Sequence, residues 1–91
     1  MFKTKTINGT NNLCGVRVKM YRQRMGSNFS QKKLADQMQI HGIDIDKNAI
    51  QRIESGQRYV NDFELMILCM IFNVEISDLC DFTLIAPYQV K

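Results

Sequence analysis

This sequence is poor in the residues from which catalytic and metal sites are usually built. His41 is its only histidine, so no His pair exists to activate a nucleophile or grip a metal ion. Tryptophan is absent, the single proline is Pro87, and no glycine-rich loop precedes a helix to cradle a phosphate. The acidic residues are scattered as caps and surface charges and do not converge as a pair. An enzyme is therefore not expected, nor a cofactor, nor a bound metal. Cys14, Cys69 and Cys80 form an odd set without a CxxC spacing. Each falls within an apolar helical pattern and reads as a small buried hydrophobe.

Long apolar runs are missing too. The longest, over 65–72, is far below the roughly 20 residues needed to span a bilayer. The opening Met-Phe-Lys-Thr-Lys-Thr-Ile-Asn-Gly-Thr lacks the apolar stretch of a secretory signal, so no membrane association and a cytoplasmic location are expected. No solenoid repeat or low-complexity segment appears. A chain of 91 residues has room for one core and hence one domain. Its net charge of +3 leans toward an anionic partner, and the placement of the charges must decide.

What is present is helical patterning with turn chemistry between the segments. Residues 1–12 hold Thr, Asn, Gly and Lys but little that packs, and read as a flexible arm; the functional alternative is Lys3 and Lys5 reaching into a minor groove. Over 13–25, Cys14, Val18, Tyr21 and Met25 recur on one helical face, with Asn12 as N-cap and Gly26 ending the helix. A second helix is predicted over 31–40. Ser30 caps it, Phe29 staples onto Leu34, and Leu34, Ala35, Met38 and Ile40 face inward. His41 is a surface cap residue, and Gly42 stops the helix.

The third predicted helix, 47–55, is capped by Asp46 and divides cleanly. At about 100° per residue, Ala49, Ile50 and Ile53 form an apolar stripe, while Lys47, Asn48, Gln51 and Arg52 share the opposite face. Asn and Gln can exchange paired hydrogen bonds with adenine, and Arg and Lys donate to guanine, so this face is a candidate base reader. Ser30, Gln31, Lys32 and Lys33 open the second helix, where its free N–H groups, its dipole and two lysines could meet a phosphate. Arg58, Tyr59 and Asn61 follow the third helix and could hold further phosphates.

Asn61 and Glu64 form a capping-box pattern for a fourth helix running to about residue 72. Phe63, Met66, Ile67, Met70 and Ile71 lie on one side of it, and Leu65, Leu68, Cys69 and Phe72 on the other, so both sides require cover. Ser77 is expected to cap a short fifth helix through about residue 82 that buries Leu79 and Cys80. The tail, 83–91, is too apolar to float free: it either folds over helix four or joins a dimer contact.

Several segments together resemble one family. They are Val18 with Arg22, Phe-Ser-Gln-Lys-Lys-Leu-Ala at 29–35, Ile-Gln-Arg-Ile-Glu-Ser-Gly-Gln-Arg at 50–58, and Asn-Val-Glu-Ile-Ser-Asp-Leu at 73–79. In order and spacing the chain from about residue 15 to 79 is similar to the helix-turn-helix regulators of the phage repressor and Cro type, also called the xenobiotic-response-element family. The resemblance implies an all-α, five-helix lambda-repressor-like domain over 13–82 with its helix-turn-helix at helices two and three. It further implies a sequence-specific, double-stranded DNA-binding transcriptional regulator, a repressor, acting as a homodimer with helix three in the major groove. Gln31 then matches a position that touches the phosphate backbone and braces a base-reading side chain. Lys47, Asn48 and Arg52 match base-contacting positions, and Arg22 with Glu54 matches a structural salt bridge. An antitoxin-like or other protein-interaction module of the same fold, using helix four and the tail, is the alternative. One departure concerns the connector 39–45, about five residues longer than is usual. Lengthening helix two by a turn is the expected way to absorb it.

Overall fold

The computed structural model describes residues 5–85. Among these there are five α-helices, one 3-10 turn and no strand. The helices are α1 (Gly15–Arg24), α2 (Gln31–Ile40), α3 (Lys47–Glu54), α4 (Asp62–Phe72) and α5 (Ile76–Leu79), and the 3-10 turn is Phe82–Leu84.

Local chemistry sets most of these boundaries. Ser30 accepts from the Lys33 N–H, Asp46 from that of Ala49, and Asn61 from that of Glu64, so α2, α3 and α4 each begin with an answered orphan donor. The Glu64 carboxylate accepts from the Asn61 N–H in return and completes a capping box. α4 ends on Asn73, held in the left-handed region at φ 56°, a conformation Asn tolerates better than most residues do. α5 departs from expectation. It starts at Ile76, with the Glu75 N–H donating to Asp78, so Ser77 lies inside the helix and does not cap it.

The core is the sum of one stripe from each helix. Val18, Leu34, Met38, Ile50, Ile53, Leu68 and Leu79 are fully buried. Each such side chain contributes about 1.5–3 kcal/mol relative to exposure. Tyr21 stacks on Phe72 with ring centroids 5.9 Å apart, joining α1 to α4. Cys14, Cys69 and Cys80 are buried as free thiols. Burial pushes all three upward, Cys14 to about 12, so they remain neutral and act as small apolar groups.

Four further expectations, for α1, α2, the connector and α4, need correction. Ile40 is 74% exposed, because α2 ends there and its side chain lies off the Leu34–Met38 stripe. Met25 is also exposed, lying beyond the last turn of α1. The long connector does not extend α2: residues 41–46 leave the helix through Gly42 at φ 86°, and Ile45 turns into the core. Finally, α4 is covered on one side only. Leu68, Cys69 and Phe72 are buried, while Phe63, Met66 and Met70 are half or more exposed.

The chain before α1 is folded against the rest where it is described. Residues 5–12 form a turn closed by Thr6 N–H to the Thr10 carbonyl, and this turn hydrogen-bonds the segment after α3 and the carbonyl of Leu84. The arm expected over 1–12 is thus corrected for 5–12: polar groups, not apolar ones, dock it. Residues 1–4 lie outside the described residues, as do 86–91 of the expected tail. Leu84 lies beside Asn12 and Leu13, away from the exposed stripe of α4.

α1 crosses the end of α3 closely enough to exclude a side chain. A Cβ at Gly15 would overlap the carbonyl oxygen of Ile53, a backbone atom that cannot swing aside. Gly15→Ala is therefore expected to destabilise the fold by about 1–3 kcal/mol, the usual cost of overpacking. Urea unfolding of the two proteins measures it; equal midpoints would show that the helices can separate freely.

Candidate nucleic-acid interface

α3 is held from behind and bare in front. Ala49, Ile50 and Ile53 are buried, and Lys47, Asn48, Gln51 and Arg52 are all exposed on the opposite face. Among the described residues the side chains of these four make no hydrogen bond or ion pair, so their donors and acceptors remain available to a ligand.

α2 contributes the flank of the same surface. A depression of about 400 Å³ between the two helices is lined by Lys32, Ala35, Asp36, Gln39, Asp46 and Lys47, which sets one side of α2 along its length beside the start of α3. Lys33 is exposed, and Lys32 is exposed while paired with Asp36 at 3.1 Å. The Ser30 hydroxyl oxygen caps α2, and its proton has no acceptor among the described residues.

At the rear of α3 sits a buried carboxylate. Glu54 accepts from Arg22 Nε at 2.6 Å and Nη2 at 3.2 Å, and from Gln31 Nε2 at 3.0 Å. Arg22 and Glu54 side chains are only 13% and 4% exposed. Arg22 also donates to the Phe29 carbonyl, which ties α1 to the entrance of α2. Gln31 is half-buried in this cluster, with its amide directed inward at Glu54.

Residues after α3 are occupied otherwise than the sequence suggests. Arg58, expected at a phosphate, pairs with buried Glu64 through two bonds of 2.9 Å. Asn61 is engaged as the cap of α4. Tyr59 is exposed. Burial would raise the Glu64 carboxyl, but the Arg58 hydrogen bonds, the Asn61 N–H and the Arg58 charge outweigh it and hold the group below its ordinary value. The same hydrogen bond raises Arg58 above its usual range. The pair reads as a clasp between the end of the α3 loop and α4. Its signal in the sequence is concealed, because Glu64 is already accounted for by the capping box.

A family model described as helix-turn-helix matches residues 18–79, from the middle of α1 through α5. The chain belongs to the helix-turn-helix family, of the Cro/C1 type. α2 and α3 are the paired helices of its helix-turn-helix, and the domain is a DNA-binding regulatory one. Comparison with curated proteins and with solved structures finds no significant match. Among the described residues no helix is long and apolar enough to cross a membrane, and no group of three or more His, Cys, Asp or Glu side chains could hold a metal ion.

The helix-turn-helix also contains bracing residues with no evident sequence signal. Gln39 Nε2 donates to the Ile45 carbonyl at 2.7 Å and so stiffens the long connector just before α3. Asn11 and Asn12 reach the other end of α3 through backbone carbonyls more than forty residues away. A side chain that bonds to backbone leaves no complementary residue to look for.

The Glu64 clasp has a definite pH signature. A carboxyl held below its unfolded value contributes stability that is complete above the ordinary carboxylate range and is lost as pH falls through the folded value. Between about pH 6 and about pH 3 the wild-type urea midpoint should therefore fall more steeply than that of Glu64→Gln. Parallel profiles would remove Glu64 from the acid sensitivity of the fold.

Proposed function

We propose that this helix-turn-helix protein is a sequence-specific, double-stranded DNA-binding transcriptional repressor that inserts α3 into the major groove. The observation that carries the proposal is the exposed Lys47, Asn48, Gln51, Arg52 face on a helix pinned by Ile50 and Ile53. Every one of these side chains can address base edges, and none is engaged within the described fold. Ser30, Lys32 and Lys33 at the start of α2 supply the phosphate contacts that fix register, while Gln31, expected among them, turns its amide inward to brace Glu54. Tyr59 and Asn61 flank the other end of α3. Arg58 acts through Glu64 and stands apart from the phosphate set.

The protein acts as a homodimer in the cytoplasm on this reading. The supporting feature is the exposed α4 stripe of Phe63, Met66 and Met70, spaced i, i+3, i+7. A two-fold axis across this face lets one helix cover its own copy, giving the apolar residues the cover that the single chain leaves out. The same axis presents two α3 helices to two half-sites. An antitoxin-like protein-interaction module would use the stripe for a different chain, and oligomeric state separates the two readings.

Binding to duplex DNA should weaken steeply with salt as condensed counterions are released by the lysines. Arg52→Ala or Asn48→Ala should cost about 1–3 kcal/mol at particular base pairs, whereas Lys33→Ala should weaken all sequences alike and flatten the salt dependence. Titrations of preferred and random duplexes at several salt concentrations measure both effects. A flat salt response, or identical behaviour of the two kinds of variant, would sink the assignment.

Sedimentation should find a dimer that Met70→Glu converts to a monomer. A wild-type monomer, or a dimer indifferent to that change, would move the contact elsewhere.

A further inference from the structure

We propose that Asn12 is a positioning residue for the recognition helix, setting its angle through one fully used side-chain amide that never touches DNA. The inference deepens the DNA-binding reading above and rests on it for its functional half.

The Asn12 amide makes every hydrogen bond available to it. Its Oδ1 accepts from the Cys14 N–H at 3.2 Å and the Gly15 N–H at 2.8 Å, at the start of α1. Its Nδ2 donates to the Ile53 carbonyl at 3.0 Å and the Arg58 carbonyl at 2.8 Å, at the end of α3 and in the loop beyond. Two lone pairs and two protons exhaust the group. The orientation is unambiguous, since a flipped amide would set oxygen against two carbonyls and NH2 against two N–H donors.

This geometry links two helix ends of opposite sign. The first turn of α1 exposes unpaired N–H groups with partial positive charge, and the last turn of α3 exposes carbonyls with partial negative charge. The amide lies between them with its oxygen toward the first and its NH2 toward the second, so its dipole runs head to tail with both. Gly15 completes the arrangement. The missing side chain there lets the Ile53 carbonyl come close enough for one residue to reach both helices.

Asn11 extends the grip by one residue. Its backbone N–H donates to the Gly56 carbonyl at 2.7 Å, and its Nδ2 to the Gln57 carbonyl at 2.8 Å. Gly56 is at φ 82° with Thr10 filling the space that a side chain there would need, so a turn of 5–12 seats directly on the turn that ends α3. The carbonyls of residues 53, 56, 57 and 58 are thus all answered from residues 11 and 12. The front residues Gln51 and Arg52 lie in the same final turn of α3, and any tilt there moves them against the bases.

Asn12→Asp isolates this role. It retains both acceptor bonds to α1, and replaces the two donors by a carboxylate oxygen facing two carbonyls. Two readouts are needed. In the free protein, residual dipolar couplings of the α3 amides against those of α1 and α2 measure the helix orientation. In the complex, the ratio of affinity for the duplex that wild type selects from random sequence to affinity for random duplex measures reading.

The expected result is a rotated α3 and a ratio lowered by about tenfold, the loss of one good base contact, with random-duplex affinity unchanged. An unchanged α3 orientation overturns the proposal whatever the DNA result. So does a rotated α3 with an unchanged ratio. If wild type itself shows no duplex preference, the DNA reading fails, and the dipolar couplings alone decide the positioning claim. Should Asn12→Asp not fold, Asn11→Ala, which removes the Gln57 bond together with an exposed contact from Lys5 while keeping the backbone bond to Gly56, decides by the same two measurements with a smaller effect of the same sign.

Discussion

The Glu54 carboxylate is the point on which the architecture depends. It is buried in the last turn of α3, and it accepts from Arg22 of α1 and Gln31 of α2, so the first three helices meet at one charge. Placing a charge inside a small domain is costly unless it is paired and hydrogen-bonded, and here both conditions hold. The outcome is directional. Apolar stripes alone would let α3 slide or roll on its bed, whereas a bidentate carboxylate fixes both its rotation and its height.

A division of charge follows from this. Arg22 and Arg58 face inward to Glu54 and Glu64, and neither adds to the field in front of the molecule. The cations exposed on α2 and α3 are Lys32, Lys33, Lys47 and Arg52, while Lys5, Lys19 and Arg24 are exposed elsewhere. A modest net charge of +3 therefore does not show that Arg22 and Arg58 are paired inside the fold while α2 and α3 carry four exposed cations. The same unevenness separates residues that hold α3 from residues proposed to read with it.

Much of this was legible in the sequence, and what escaped did so for physical reasons. Ser30, Asp46 and Asn61 announce their helices because capping is a local bond over three residues. Ile50 and Ile53 announce the buried side of α3 because periodicity is local as well. The Arg22–Glu54 pair came only through resemblance, since thirty-two residues separate its members. Arg58 looked like a free cation because Glu64 had a sufficient local explanation. The roles of Asn11 and Gln39, and the donor half of Asn12, left no trace, as their partners are backbone carbonyls that every residue carries. α4 looked as though both faces would be covered, but the described chain supplies cover for only one.

The bareness of the α3 front has a consequence for how such a domain can change over time. Nothing in the described fold leans on the side chains of Lys47, Asn48, Gln51 or Arg52; the helix is secured by its buried stripe, by Glu54 and by the backbone groups at its two ends. On the proposed reading, target preference and foldability therefore rest on disjoint sets of residues. A lineage can exchange the four outward positions one at a time without passing through an unfolded intermediate, which makes this helix a readily retargeted part on an otherwise conservative frame.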